Sequence, residues 1–233
     1  MAWEKVKKNK GAGGIDGQSI DDYEENAQEN IARLMNELQE KSYVPLPVRR
    51  VYIEKRGNTQ EKRPLGIPAI HDRVCQQALK NRLEPILEAC FNDCSYGYRS
   101  GKSTKDALGV IWKNIQDGDE WILDADLRDY FGTVNHELLV ELIARKISDG
   151  RVLKLIKDML EAGYIEQGKL FPTDKGTPQG GLCGARHNIY LHIRRKHLPI
   201  ACKHYAQRVG QRDGTERAEL CKVCRRCDYH GWK

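Results

Sequence analysis

The chain has 233 residues, 39% hydrophobic and 31% charged, with a formal net charge of +6, which is enough to bury a core in one large domain or two small ones. The basic start, Met1–Lys10, has no apolar stretch behind it, and no apolar run reaches the length of a bilayer span. The expectation is therefore a soluble, cytoplasmic protein without a signal peptide or membrane segment, whose eight cysteines stay reduced.

The charge is unevenly placed. From Leu182 onward 12 Lys and Arg face 4 Asp and Glu, which leaves 27 against 29 in Met1–Gly181. Five of the seven histidines and five of the eight cysteines also follow Gly181. A break this abrupt marks a separate domain, a tail or a segment of different origin. The main body is not strongly basic, so any nucleic-acid contact there has to come from local patches.

In chain order, Met1–Lys10 carries Lys5, Lys7, Lys8 and Lys10 and reads as a solvated, frayed terminus. Gly11–Gly17 is a glycine-rich turn region that lacks the Gly-Lys-Ser/Thr of a phosphate loop. Ser19 and Asp22 have capping-box spacing. A helix is predicted from about Asp21 to about Lys41, with Ile31, Leu34, Met35 and Leu38 on one stripe. Pro45 and Pro47 end it. Val48–Lys55 reads as a strand, Gly57-Asn58 as a turn, and Lys62–Pro68 as the return. This basic hairpin, with Arg49, Lys55, Lys62 and Arg63, suits phosphate binding and equally suits an edge strand protected by charge.

Ile70 to about Phe91 has helical periodicity through Ile70, Val74, Ala78, Leu83, Ile86, Leu87 and Cys90, with Cys75 and Cys90 as core residues. Ser95–Ser103 is a loop whose Tyr residues and Arg99 can stack on bases and pair with phosphates. Ser103 and Asp106 again have capping-box spacing, before a helix from about Thr104 to Gln116. Trp121–Ala125 is a short apolar strand ending among Asp124, Asp126 and Asp129, followed by Tyr130-Phe131. Two helices, Asn135 to about Ile147 and Val152 to about Glu161, are parted by Asp149-Gly150. Tyr164–Phe171 fits a short hairpin, and Lys175–Gly181 a loop.

Read together, several ordered segments resemble the reverse transcriptase domain of bacterial group II intron maturases. They are Asn9–Gly17, Arg63–Pro68 with Asp72-Arg73-Val74, Tyr96–Ser103, Asp124–Phe131 with Asn135-His136, and Gly176–Gly181, with a last echo at Asn188–His192. The resemblance implies an α+β, right-hand polymerase fold. Residues 1–41 would be an N-terminal extension and helix, 42–118 the fingers, 119–181 part of the palm, and 182–233 an aberrant basic tail.

The implied activity is RNA-directed DNA synthesis with Mg²⁺, on an RNA template and DNA primer with deoxynucleotides, by a protein that also binds group II intron RNA. Such phosphoryl transfer needs carboxylates at a strand end, because Mg²⁺ takes oxygen ligands. By motif position Asp126 is the catalytic metal ligand, with the backbone carbonyl of Leu127 as a second contact. Asp124 and Asp129 rank below it. Phe131 matches the residue packed against the sugar. Gln179, with Gly180, matches the residue lying against the incoming nucleotide. Lys55 and Arg63 match the triphosphate contacts. Lys7, Lys8, Arg49 and Arg99 are the RNA-binding candidates.

The family's other metal ligands sit in a Tyr-Ala-Asp-Asp hairpin after this last block, and the sequence contains no such tetrad after Gly181. Cys221, Cys224 and Cys227 have zinc-ligand spacing, with His230 and Cys202 as further ligands. A reading-frame change explains them better. With suitable codons, Val223–Trp232 read one base further along gives Tyr-Ala-Asp-Asp-Val and an apolar strand. The expectation is a truncated, frame-disrupted reverse transcriptase that is inactive alone, without zinc. The alternatives are a non-catalytic RNA-binding protein that aids splicing, and a nucleic-acid-binding protein with a C-terminal zinc module. Oligomeric state is not legible.

Overall fold

The computed structural model describes residues 1–55, 58–118 and 130–177. They are α+β and fall into two compact units: residues 1–89 with 130–177, and residues 90–118.

The chain opens with a helix. α1 (Ala2–Asn9) buries Trp3 and Val6 and packs on α4 (Ile70–Glu88). The reading of Met1–Lys10 as a frayed terminus is therefore corrected. Two apolar residues three apart suffice once Trp3 stacks at 4.8 Å on the ring of Tyr23, Lys5 Nζ donates to Asn81 Oδ1 at 2.8 Å, and Lys7 pairs with Glu24. A lysine count registers the exposed face alone.

The Ser19–Asp22 capping box forms in both directions, at 3.0 and 2.8 Å. The helix it starts is broken at Asn26 (φ −121°, ψ 31°) into α2 (Ile20–Glu25) and α3 (Ala27–Glu40). Asn30 Nδ2 spans the break to Tyr23 O at 3.2 Å. The buried face is Tyr23, Asn30 and Leu34, whereas Met35 and Leu38 are exposed.

The hairpin β1 (Val48–Lys55) and β2 (Asn58–Ile67) pairs Arg49 with Ile67, Val51 with Leu65, and Ile53 with Arg63, with an irregularity between Glu54 and Lys55. A second hairpin, β3 (Tyr164–Glu166) and β4 (Lys169–Phe171), pairs Tyr164 with Phe171. β1 and β3 run parallel, with Val48 beside Tyr164, and the sheet order is β2-β1-β3-β4. Parallel pairing needs a long crossover, and here it joins stretches over a hundred residues apart.

α4 buries Ile70, Val74, Cys75, Leu79, Leu83 and Leu87. Burial pushes the Cys75 thiol up to about 12, as expected of an inert core cysteine. Asp72, in the first turn, is 2% exposed. It accepts from Tyr43 Oη at 2.6 Å and from Leu46 N at 3.1 Å, so it ties the α3–β1 connection to α4. In the second unit, Ser103 and Asp106 form a capping box at the start of α5 (Thr104–Gln116). Back in the first unit, Asn135 and Asp149 cap α7 (His136–Ala144) and α8 (Gly150–Glu161) through Leu138 N and Arg151 N.

Asp72→Ala leaves a buried hydroxyl and a buried N–H without their acceptor. It is expected to lower the unfolding free energy by about 2–4 kcal/mol, read by denaturant titration. Burial holds the Asp72 carboxyl above its ordinary range. Its linkage contribution is therefore fully present below the unfolded value and is lost as pH rises through the folded value. Asp72→Asn is expected to remove that part of the fall in stability with rising pH.

Candidate active site

The part of the site that the structure describes is a strap. α6 (Tyr130–Thr133) leaves the Asp126 block, and residues 175–177 enter the Gln179 block. Thr177 N donates to Phe131 O at 2.7 Å, and Gly176 N to Val134 O at 2.7 Å. Asn135 and Lys175 form an antiparallel bridge. His136, 4% exposed, donates from Nε2 to Gly176 O at 2.6 Å. A carbonyl can only accept, so Nε2 carries a proton, and among the described residues the buried Nδ1 has no hydrogen-bond partner.

Gly176 is required by this geometry. Its φ is +85°, and a Cβ there would sit 2.9 Å from Phe131 O and 3.0 Å from Gly132 O. Both the backbone conformation and the close approach exclude a side chain. The strap thus fixes the distance between the chain leaving one block and the chain entering the other.

Asp126, Leu127, Asp124, Asp129, Gln179 and Gly180 lie outside the described residues, as do Cys221, Cys224, Cys227, His230 and Cys202. So do the predicted Trp121–Ala125 strand and the Lys55 side chain. Phe131 is half-buried on α6, and its carbonyl is part of the strap. Arg63 is exposed on β2 opposite Ile53. Strand alternation puts Arg49 on the same face, while Lys62, opposite Glu54, is on the other.

Three of the RNA-binding candidates have internal partners. Lys7 pairs with Glu24, which raises its pKa chiefly through that hydrogen bond. Arg49 Nη2 donates to Gly13 O at 2.7 Å. In the second unit Arg99 Nη1 donates to Asn92 O at 2.7 Å and Ser95 O at 2.9 Å, and its guanidinium lies 5.4 Å from the Phe91 ring centre. Lys8 is exposed.

Sequence reasoning gave no role to His136, Gly176 or Arg73. Arg73 Nε donates to Pro68 O at 3.0 Å, and its Nη2 donates to Ala12 O. The signal was there in part, because all three stand inside the segments that carry the resemblance.

The family described as reverse transcriptase (RNA-dependent DNA polymerase) matches residues 53–196. The chain belongs to the reverse transcriptase family. It is 38% identical over 195 residues to the group II intron-encoded protein LtrA of Lactococcus lactis subsp. cremoris, covering 82% of this chain and 32% of that protein. It is 38% identical over 173 residues to protein YkfC of Escherichia coli K12, covering 72% of this chain and 45% of that one. The chain thus spans about a third to under a half of these two relatives. A chain in a solved partial Cas6–reverse transcriptase–Cas1–Cas2 complex has the same fold, with a TM-score of 0.54 at 19% identity over 84% of this chain and 31% of that one.

Reverse transcriptases bind nucleic acid and use divalent metal ions. Among the described residues of this one, no three His, Cys, Asp or Glu side chains converge on a common point. The sequence offers one carboxylate block and no Tyr-Ala-Asp-Asp after it. Two hard cations need more than one such block to hold them against their repulsion and align a nucleophile.

Gly176→Ala is expected to cost about 1–3 kcal/mol, since Phe131 O, which the new Cβ would meet, accepts from Thr177 N and cannot move without breaking the strap. Denaturant unfolding, with limited proteolysis around residues 131–136, checks it.

Proposed function

We propose that this chain is the fingers and part of the palm of a group II intron reverse transcriptase, an RNA-directed DNA polymerase that doubles as a splicing maturase. The observation that supports this best is the strap itself. It joins Phe131, Val134 and His136 to Gly176 and Thr177, the flanks of two motifs that a polymerase must hold together. In this reading Asp126 and the Leu127 carbonyl face one Mg²⁺, Phe131 meets the sugar, and Gln179 with Gly180 meets the incoming nucleotide. Lys55 and Arg63 contact its triphosphate.

The same reading makes the chain inactive by itself. In-line phosphoryl transfer needs charge neutralised on both the attacking and the leaving oxygen, and the carboxylates that would do this are missing from the sequence. Binding has no such requirement. The chain, a cytoplasmic protein in this reading, keeps an RNA grip on intron RNA through exposed cations such as Lys8 and Arg63.

Two measurements on the full chain test this. Primer extension with Mg²⁺, an RNA template and deoxynucleotides is expected to give no incorporation above background, and template-directed synthesis would overturn the inactivity. Binding to a structured group II intron RNA is expected to weaken linearly with log salt. Lys8→Ala with Arg63→Ala should flatten that slope by about one to two ions. Arg49→Ala and Lys7→Ala are expected to act through stability, because both cations have internal partners. Absence of binding above background would end the reading.

A further inference from the structure

One face of the four-stranded sheet carries an arrangement that the polymerase reading does not use. Register and alternation place Arg50 and Tyr52 of β1, Lys62 of β2, Tyr164 of β3, and Lys169 and Phe171 of β4 on that face. Arg49, Val51, Ile53 and Arg63, the last of them one of the two triphosphate candidates, are on the opposite face.

The side chains on this face are stacked. The Arg50 guanidinium carbon lies 3.2 Å from the Tyr164 ring centre, and Tyr164 stacks on Phe171 at 5.1 Å with an interplanar angle of 12°. Arg50 is further held near Glu166, at 3.9 Å, and Tyr52 hydrogen bonds to the same carboxylate. The three tiers are thus pre-ordered, and their rotamer entropy is already lost in the free protein.

Yet the rings are not covered. Tyr52 is 51% exposed and Phe171 is 38% exposed. Lys62 and Lys169 are exposed on the two edge strands, one on either side of the stack. Of the two carboxylates on the face, Glu166 is engaged by Arg50 and Tyr52 and pairs in register with Lys169, while Glu54 stands opposite Lys62, so Arg50, Lys62 and Lys169 outnumber the acids by one around an open aromatic step.

We propose that this face is a stacking platform for unpaired RNA. Bases extend the stack at Phe171 and Tyr52, and Lys62 and Lys169 meet the phosphates on either side. Each part has a stated chemistry. Aromatic faces take any base, and lysines on both flanks track a backbone without reading sequence. A protein partner is disfavoured, because the open rings are parted by charged groups and form no continuous apolar patch. The proposal rests on the RNA-binding part of the reading above, but it uses the face opposite Arg63.

The test uses the full chain and a labelled 16-nucleotide RNA of mixed sequence without self-pairing, beside the same sequence as a duplex. The single strand is expected to bind at least fivefold more tightly than the duplex. Tyr52→Ser with Phe171→Leu, which keeps an aliphatic group against Tyr164, is expected to weaken single-strand binding at least fivefold and to leave duplex binding within twofold. Lys169→Ala is expected to weaken both and to flatten the salt slope.

A 4-thiouridine version of the RNA provides a check without any variant. Cross-links are expected in peptides containing residues 48–55 or 164–171. Unchanged affinity in the double variant, or cross-links confined to other peptides, would overturn the platform while leaving RNA binding intact. No binding by the unmodified chain to this RNA or to the structured intron RNA would bring down both proposals together.

Discussion

The glycine-rich segment near the N-terminus is held by two arginines from different elements, and the first unit is assembled around that clamp. Arg49 reaches from β1 to the Gly13 carbonyl. Arg73 reaches from α4 to the Ala12 and Pro68 carbonyls. Gly14 lies so close to the Pro68-Ala69 backbone that a Cβ would be 2.4 Å from the Ala69 Cα. Burial lowers the Arg73 pKa, and Asp16 works against that. A guanidinium in such a place is useful because its planar fork can meet several carbonyls at once. The clamp sets where the segment leaves α4, and so where α1 can lie across that helix with Trp3 against Tyr23. Sheet, helix and N-terminal segment are therefore one packed body.

The strap in the same unit works by the same means, backbone groups held at short range, with a different consequence. The clamp makes the fold. The strap makes a spacing, since it pins Gly176 and Thr177 to Phe131 and Val134 by two main-chain hydrogen bonds and adds the His136 side chain as a third. His136 is buried and its ring is oriented by a carbonyl, which suits a positioning group better than a proton carrier.

Local signals carried much of this fold. The two Ser/Asp capping boxes, the hairpin alternation and the α4 periodicity are short-range patterns, and each appears in the structure close to its predicted place. Three features were not legible. α1 depends on Tyr23 and Asn81, partners that no local window contains. The β1–β3 pairing joins strands over a hundred residues apart, and nothing in either strand names the other. Arg49 looks like a phosphate ligand in sequence because an arginine pattern cannot distinguish a nucleic-acid phosphate from the chain's own Gly13 carbonyl. The site was legible as ordered blocks, through resemblance, while the strap was not, because its hydrogen bonds are made by main-chain groups that all residues share.

In the proposed reading, binding and catalysis also divide along the chain. All four strands of the sheet lie within residues 48–171, and the clamp and the strap close within residues 12–177. The buried hydrophobic groups described in the first unit run from Trp3 to Leu160. After Gly181, by contrast, composition turns abruptly toward Arg, His and Cys, and in the proposed reading this is where the further carboxylates belong. Among the described residues, the clamp, the strap and the sheet draw their partners from within residues 12–177. In the proposed reading the chain's surface chemistry carries RNA binding: cations answer phosphate and ordered rings answer bases. Phosphoryl transfer asks for metal ligands converging within a few ångströms, whereas RNA binding accepts contacts spread over a whole sheet, so in the proposed reading the second demand can be met where the first is not.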